Sequence, residues 1–257
     1  MTKEDPATEV HLWGCSLDLP TASLDEAYAV LAGDEIERAR RYKFTRDQRR
    51  FVAARSFLRR TLAEYVSVSP PDLSFVYGTY GKPGLSPGPD GARVEFNLSH
   101  SGDVAILAIT EGAVVGVDVE QVVPISNLQG MASRFFSMYE NAALNQMPPE
   151  TRDFAFYCCW TRKESFLKAL GHGLAHPLDS FDVSLDVTYP RLVAVRGDRE
   201  APSQWTLAHL CPVPGYVAAV AVKGSGARIV WRSGATHDSR DVFRFRGEVS
   251  SRHMSLG

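Results

Sequence analysis

The sequence predicts an α+β fold made of two similar halves. Segments with helical periodicity and segments of strand-forming residues follow the order helices, strands, helix, strands, roughly once per half. This order, which no short repeat period accompanies, indicates a duplicated α+β unit. Of the 257 residues, 44% are hydrophobic and 23% are charged, as in a globular protein that is large enough for one big or two modest domains.

Charge and cysteine content argue against several classes of protein. A net charge of -2 gives no bulk electrostatic reason to bind nucleic acid or an anionic membrane. No run approaches the ~20 apolar residues of a membrane helix, and residues 1–6 lack the basic start and apolar core of a signal peptide. Cys15, Cys158, Cys159 and Cys211 form neither a disulfide framework nor a metal-finger spacing. These features predict a reduced, cytoplasmic protein.

In the first half, a strand is predicted over residues 10–15, followed by three helices. Ser23 and Glu26 form a capping-box pattern for a short helix that ends near residue 31. A second helix is expected to begin at Gly33. A longer helix is predicted over residues 47–65, because its apolar residues recur at three- and four-residue steps.

Strands are predicted for the rest of the first half. One covers residues 73–77, and a second runs from Phe96 into a Ser-His-Ser-Gly turn, after which a strand continues over residues 104–110. Between the first two lies a glycine-punctuated loop, residues 78–84. This loop is expected to hold Lys82 in a fixed position, because its neighbours restrict the backbone.

The second half is predicted to contain a long helix over residues 149–170, which Gly171 and Gly173 end as C-cap residues. Residues 233–257 are polar and lack periodicity, which predicts a flexible tail. Strands are predicted over residues 114–120, 181–185, 204–208, 216–222 and 228–231. The predicted units are a first subdomain over residues 1–117, a second over residues 118–232, and the tail.

Asp118 and Glu120 stand at the end of a strongly apolar strand segment. Side chains two residues apart on a strand share a face, with backbones roughly 7 Å apart. Two unpaired carboxylates at the end of a buried strand are costly, and their oxygens suit a hard cation such as Mg²⁺. The pattern favours half of a metal site, and the alternative is an ordinary strand end with solvated acids.

Ser99 and His100 lie in the predicted turn after Phe96. Adjacent side chains on a turn rarely face each other, and no Gly-x-Ser-x-Gly elbow accompanies them, which argues against a catalytic serine. A serine hydroxyl, an imidazole and turn amides together suit a phosphate group. The alternative is a histidine that only satisfies loop carbonyls.

Glu164 and Lys168 are one turn apart on the long predicted helix, near the face that carries Phe156 and Trp160. A surface ion pair is the simplest interpretation. A helix this apolar is expected to be mostly buried, however, so the pair is expected to line a cleft. Before this helix, the Met- and Phe-bearing residues 122–138 indicate a docking surface for a partner helix.

Four ordered motifs carry a specific resemblance. They are Tyr80-Gly81-Lys82-Pro83, Phe96-Asn97-Leu98-Ser99-His100-Ser101, Gly116-Val117-Asp118-Val119-Glu120, and Trp160-Thr161-Arg162-Lys163-Glu164-Ser165-Phe166-Leu167-Lys168 followed by Gly173-Leu174. Over about residues 34–222 the chain resembles the 4'-phosphopantetheinyl transferases of the surfactin-synthetase-activating (Sfp-like) type. The resemblance implies a pseudo-twofold α+β monomer with its active site, and coenzyme A, in the cleft between the halves.

The resemblance also implies the reaction. The 4'-phosphopantetheine group of coenzyme A would pass to a serine of an apo acyl or peptidyl carrier protein, with release of 3',5'-ADP, to activate fatty-acid, polyketide or nonribosomal-peptide synthases. Asp118, Glu120 and Glu164 match the family's Mg²⁺ ligands, with Mn²⁺ as an alternative. Glu164 would take the serine proton, directly or through a water, and Lys168 would stabilise the departing phosphate. Residues 122–138 match the region that docks the carrier's helix.

Further residues are assigned to coenzyme A. The resemblance implies a nucleotide-binding loop and phosphate contacts formed by Gly81, Lys82, Pro83, Ser99, His100, Asp118, Lys163 and Lys168. Glu35 and Phe51 stand where the family has a basic residue and a threonine. The 3'-phosphate is therefore assigned to Arg50 and Arg55, from an arginine-rich stretch whose guanidinium groups suit a polyanion.

Two alternatives belong to other functional classes. A metal-dependent phosphohydrolase that acts on a nucleotide would need a water-activating site in place of a docking surface. A binding module that holds coenzyme A or a carrier protein without transfer would have little use for Glu164 and Lys168 beside a metal. The combined motifs favour the transferase over both.

Overall fold

A computed structural model describes residues 8–86, 93–171, 173 and 176–232 of the chain. Within these residues, helices and strands occur together in both halves, which confirms the predicted α+β class. The same part of the chain contains no helix that is long and apolar enough to cross a membrane. The tail predicted at residues 233–257 lies outside the described residues.

The first half begins with a strand and three helices, as predicted, but two local predictions are wrong. α1 starts at Thr21 after Pro20, and no side chain caps it, so the predicted Ser23–Glu26 capping box does not form. The fourth strand continues through Ser101, so the turn comes only after the predicted Ser-His-Ser segment. The elements are β1 (Glu9–Ser16), α1 (Thr21–Tyr28), α2 (Gly33–Arg40), α3 (Thr45–Val66), β2 (Phe75–Tyr77), β3 (Pro83–Leu85), β4 (Val94–Ser101) and β5 (Val104–Glu111).

The second half contains the predicted long helix, which Gly171 ends with a φ of 70°. Two shorter helices that the sequence analysis did not predict precede it, and capping side chains explain both. Asn127 caps the first, and Ser137 with Glu140 forms a capping box on the second. The elements are β6 (Val115–Gln121), α4 (Leu128–Phe135), α5 (Met138–Gln146), α6 (Arg152–Leu170), β7 (Phe181–Val183), β8 (Leu192–Val195), α7 (Ala201–Gln204), β9 (Trp205–Leu210), β10 (Tyr216–Lys223) and β11 (Arg228–Trp231).

The two halves repeat one strand order. The first sheet contains β1-β5-β4, and the second contains β6-β10-β9. In each half the strands pair antiparallel, a long helix follows the first strand, and a separate two-stranded ribbon precedes the other two strands. This correspondence, β1 to β6, α3 to α6, β4 to β9 and β5 to β10, agrees with the predicted pair of similar α+β units.

The sheets pack face to face, with a long helix on each outer side. Val10, Ile106, Val117 and Val220 are among the buried side chains between the sheets. α3 packs on the outer face of the first sheet, and α6 packs on the outer face of the second. The edge strands β4 and β6 come to lie beside each other where the two sheets meet.

One strand crosses from the second half to the first. β11 pairs in parallel with β1, so that Glu9 lies opposite Arg228 and Leu12 lies opposite Trp231. The boundary predicted between residues 117 and 118 falls inside β6. The subdomain limits 1–117 and 118–232 therefore stay a proposal. They describe the two copies of the repeated unit and not two separate hydrophobic cores.

Gly116 allows α6 to lie directly on β6. A Cβ atom at this position would overlap the carbonyl oxygen of Ser165 and the amide nitrogen of Ala169, both of them helix backbone. We expect Gly116→Ala to lower the free energy of unfolding by about 1–3 kcal/mol, because a packed backbone must move to admit a methyl group. Urea denaturation measures this change. The control is Gly33→Ala at the start of α2, whose Cβ would meet nothing within 4 Å and whose φ lies outside the left-handed region.

Candidate active site

The close approach of β6 and α6 brings together the carboxylates singled out in the sequence. Asp118 and Glu120 alternate with Val117 and Val119, which point into the space between the sheets. The carboxylates therefore occupy the opposite face of the strand, as their two-residue spacing predicts. Glu164 and Lys168 belong to the helix packed on that face. The charge of Lys168 acts on Asp118 and Glu120, and the charges of these two carboxylates act on Glu164.

Asp118 is the most buried member of the group, at 3% exposure. Its Oδ1 accepts hydrogen bonds from Lys168 Nζ at 2.5 Å and from Ser99 Oγ at 3.0 Å. Its Oδ2 is buried and has no hydrogen-bond partner. Burial raises the pKa of the Asp118 carboxyl, against the opposing effects of Lys168 and Ser99.

Glu120 is held from two sides. Ser101 Oγ donates to Glu120 Oε2 at 2.7 Å, and the Trp160 side chain lines the same groove as Glu120 on the α6 side. Burial raises the pKa of Glu120, and the negative charge of Asp118 raises it further. Glu120 therefore stands between β4 and α6 with its carboxylate oriented.

Glu164 completes the acidic group from the helix side. Its Oε1 is buried and has no hydrogen-bond partner. Burial raises the pKa of the Glu164 carboxyl, and repulsion by Asp118 and then by Glu120 adds to the effect. Three carboxylates thus act on one another in a partly desolvated site, with Lys168 as the cation among them.

The donor set fits a hard divalent cation. Two buried carboxylate oxygens, Asp118 Oδ2 and Glu164 Oε1, have no partner, and buried unpaired anionic oxygens are costly. Carboxylate oxygens are the ligands that Mg²⁺ and Mn²⁺ take in proteins. The described residues, however, contain no group of three or more His, Cys, Asp or Glu side chains already spaced to hold a metal ion. The ammonium of Lys168 provides the nearest positive charge to Asp118.

Two cationic side chains, Lys168 and Arg50, lie near His100 beside the carboxylates. His100 follows Ser99 on β4, and the positive charges of Lys168 and Arg50 both act on it. His100 keeps an exposed surface. Partial desolvation of the imidazole lowers its pKa, and these two cations lower it further. Arg50 is fixed by Asp103, which accepts from its Nε at 2.7 Å. Ser99 and His100 therefore lie on strand β4 rather than in the predicted turn, and Lys168 and Arg50 come from the two long helices, as predicted.

The loop that carries Gly81, Lys82 and Pro83 is attached to the same region. Lys82 Nζ donates to the carbonyl oxygens of Val115 and Ala169, each at 3.0 Å. It therefore links the loop to the start of β6 and the last turn of α6, in the fixed position that the sequence predicted. Gly81 has a φ of 81°, which a residue with a Cβ adopts rarely.

Arg55 and Lys163, both predicted to bind coenzyme A, lie elsewhere. Arg55 pairs with Glu35, which also pairs with buried Arg59. Lys163 is completely buried and donates to both oxygens of Glu140, at 2.5 and 2.7 Å. Helix α6 is buried on several sides. Lys163 therefore does not face the cleft, although it is next to Glu164 in sequence. We therefore propose structural roles for both residues.

An apolar groove of about 380 Å³ opens beside Glu120. Met131 of α4 lines this groove, and Met138 at the start of α5 is 90% exposed. The groove thus connects the carboxylates to the stretch predicted as a docking surface. Its lining residues are Glu120, Pro124, Ile125, Ser126, Met131, Phe156, Tyr157 and Trp160.

Comparisons with known proteins agree with these motifs. The chain matches the family model described as 4'-phosphopantetheinyl transferase superfamily over residues 114–221, and the model described as 4'-phosphopantetheinyl transferase, N-terminal, over residues 20–112. It is 39% identical over 218 residues to the 4'-phosphopantetheinyl transferase HetI of Nostoc sp., which is 85% of this chain and 89% of that protein.

Two further similarities are more distant. The 4'-phosphopantetheinyl transferase Sfp of Bacillus subtilis is 32% identical over 176 residues, which is 68% of this chain and 76% of that protein. The solved structure of holo-acyl-carrier-protein synthase from Thermotoga maritima aligns with a TM-score of 0.34 at 24% identity, over 44% of this chain and 64% of that chain. The latter likeness is too low to support a conclusion about this chain.

Proposed function

The chain belongs to the 4'-phosphopantetheinyl transferase superfamily, and from this membership we propose the reaction it catalyses. Coenzyme A donates its 4'-phosphopantetheine group to a serine hydroxyl of an apo acyl or peptidyl carrier protein, and 3',5'-ADP is released. The observation that carries this proposal is the group of Asp118, Glu120, Glu164 and Lys168 between β6 and α6, with two buried carboxylate oxygens left unpaired.

Mg²⁺ is the proposed metal, and Mn²⁺ is the alternative. Asp118, Glu120 and Glu164 would hold it. A bound ion would supply positive charge to neutralise the pyrophosphate of coenzyme A during transfer. Two buried oxygens without a hydrogen-bond partner support this assignment, one on Asp118 of β6 and one on Glu164 of α6.

The chain's own groups would move the proton and stabilise the leaving group. The serine oxygen of the carrier forms a bond to the β-phosphorus, and the bond from that phosphorus to the bridging oxygen breaks, so that 3',5'-ADP leaves with the electron pair. Glu164 takes the serine proton, directly or through a water, and its raised pKa favours this role. Lys168 stabilises the charge on the departing phosphate. Positioning and electrostatics supply most of the catalysis, as in other phosphoryl transfers.

The remaining site residues are assigned to substrates. Gly81, Lys82, Pro83, Ser99 and His100 are proposed to position coenzyme A. The groove beside Glu120 and residues 122–138 are proposed to receive the carrier, whose helix would contact the exposed apolar side chains of α4 and α5. Fatty-acid, polyketide and nonribosomal-peptide carriers are all candidate partners. A monomeric, cytoplasmic enzyme stays a prediction.

Intact-mass spectrometry tests the reaction. An apo peptidyl carrier and an apo acyl carrier are each incubated with the chain, coenzyme A and Mg²⁺, with and without a chelator. We expect a mass gain of one phosphopantetheine that the chelator abolishes. Coenzyme A cleavage without carrier modification would instead identify a phosphohydrolase, and coenzyme A binding without either change would identify a binding module.

Arg50 is the arginine that we propose for the 3'-phosphate, because it lies near His100 and keeps further N–H donors beside Asp103. Arg50→Ala is expected to raise the KM for coenzyme A about tenfold to a hundredfold, since a hydrogen bond to a charged group contributes ~1.5–3 kcal/mol. The KM for dephospho-coenzyme A should change little.

Steady-state kinetics with the two donors measures this difference. The control is Arg60→Ala, because Arg60 on the same helix bonds Ser56 and the carbonyl of Glu26 rather than the site. An equal rise in KM for both donors after Arg50→Ala would contradict the assignment.

A further inference from the structure

The two edge strands at the junction of the sheets are joined by side chains. β4 belongs to the first sheet and β6 to the second, so their backbones do not form a ladder with each other. Asn97, Ser99 and Ser101 alternate along β4 and therefore point to one face. Each accepts a hydrogen bond from a backbone N–H of β6. The donors are Val117 at 2.8 Å, Val119 at 3.3 Å and Gln121 at 3.1 Å.

This seam follows a regular sequence offset. The acceptor and the amide are separated by 20 residues in all three bonds. β6 pairs with β10 on its other side, so these outward N–H groups would have no strand partner. The amides of Val117 and Val119 take part in buried hydrogen bonds, and buried amides require an acceptor. The three β4 side chains take the place that carbonyl groups of a neighbouring strand would occupy.

The two serines make a second, equally regular contact. Ser99 Oγ donates to Asp118, and Ser101 Oγ donates to Glu120, each with a separation of 19 residues. A hydroxyl can accept one hydrogen bond and donate another at the same time. Each serine thus fixes a carboxylate and the amide of the residue that follows it. A shift of one residue in register would turn both carboxylates to the other face.

We propose that Ser101 is a positioning residue, which orients Glu120 for metal binding through this seam. The inference rests on the proposed metal-dependent function and assigns a role to Ser101 that the reaction itself does not require. Ser99 also contacts Lys168 at 2.9 Å, close to the proposed chemistry. Ser101 instead acts through Glu120, because its Oγ donates to Glu120 Oε2, 2.7 Å away.

Mn²⁺ binding tests the proposal without relying on turnover. Free Mn²⁺ is followed by electron paramagnetic resonance as it is added to the full chain, with and without coenzyme A. Loss of a group that orients a metal ligand typically weakens metal affinity about 10–100-fold, and we expect a rise of this size in the Mn²⁺ Kd for Ser101→Ala. In Ser101→Ala, the metal concentration that gives half-maximal transfer should rise by a similar factor. The transfer rate at saturating metal should fall by a smaller factor.

Three variants distinguish a role of Ser101 in orienting Glu120 from a role in stability alone. Ser101→Thr keeps the hydroxyl and should retain the Mn²⁺ Kd of the unaltered chain, whereas Ser101→Cys keeps the volume without a strong donor and should behave as Ser101→Ala does. Asn97→Ala removes the equivalent bond to Val117, which has no carboxylate side chain. It should lower the melting temperature and leave the Mn²⁺ Kd unchanged.

The outcomes distinguish the two proposals. If the unaltered chain binds Mn²⁺ and Ser101→Ala binds it equally well, the positioning role is overturned while the metal function stands. If Asn97→Ala and Ser101→Ala weaken binding alike, the seam is only structural, and the positioning role is again overturned. If the unaltered chain binds no Mn²⁺ with or without coenzyme A, the proposed metal function itself fails and the role of Ser101 fails with it.

Discussion

Glu164→Gln is expected to lower the rate of phosphopantetheine transfer about a hundredfold to ten-thousandfold, the usual contribution of a positioned general base. An amide is close in shape to the carboxylate but cannot accept the serine proton, and it removes one negative charge from the proposed metal site. The melting temperature should stay the same or rise, because Glu164 Oε1 is buried without a partner and is repelled by Asp118.

The measurement is the time course of carrier modification by intact mass, beside thermal unfolding of the same samples. Glu150→Gln is the matched control, since Glu150 is an exposed acid just before α6. It should transfer at the rate of the unaltered chain. A Glu164→Gln rate within tenfold of that control would remove Glu164 from the role of base.

Lys163→Met is expected to lower the free energy of unfolding by about 3–5 kcal/mol, because it leaves the charge of Glu140 buried without a counter-ion. Both side chains are at 0% exposure. Lys163 also donates to the carbonyl of Phe181 at 2.8 Å, and Glu140 accepts from the amides of Ser137 and Val183. The pair therefore joins α5, α6 and β7.

Urea denaturation of single and double variants measures the pair. Adding Glu140→Gln to Lys163→Met removes the buried charge, so the double variant should lose less stability than the two single losses added together. The KM for coenzyme A should be unchanged in Lys163→Met wherever the protein is folded. A raised KM in a variant of normal stability would restore the role in coenzyme A binding that the sequence suggested.

Local periodicity predicted the parts of the site that depend on one element alone. The two-residue spacing of Asp118 and Glu120 placed both on one face of β6, and the one-turn spacing of Glu164 and Lys168 placed both on the cleft side of α6. The capping box of Ser137 and Glu140 was readable in the sequence and would have predicted α5. These patterns are short-range, so they survive folding unchanged.

Contacts between residues that are far apart in the sequence could not be predicted from local periodicity. Ser99 and Ser101 resembled a turn because small polar residues favour turns. In the structure both pair with β5 in a strand, and β6 supplies amides to their hydroxyl groups. Lys163 adjoins Glu164, but a helix covered on several sides has no single functional face, and its partner Glu140 comes from another helix. Arg55 resembled a phosphate ligand in the sequence, but in the structure it forms an ion pair with Glu35.

The pairing of β11 with β1 has a consequence for the history and engineering of the duplicated chain. β11, which has no counterpart in the first half, covers the edge of the first sheet, so the first copy depends on a strand that the second copy contributes. Fragments divided near residue 117 would each expose an unpaired strand edge and would tend to reassociate. The two copies are therefore no longer exchangeable modules, and recombination between relatives would have to transfer β1 and β11 together.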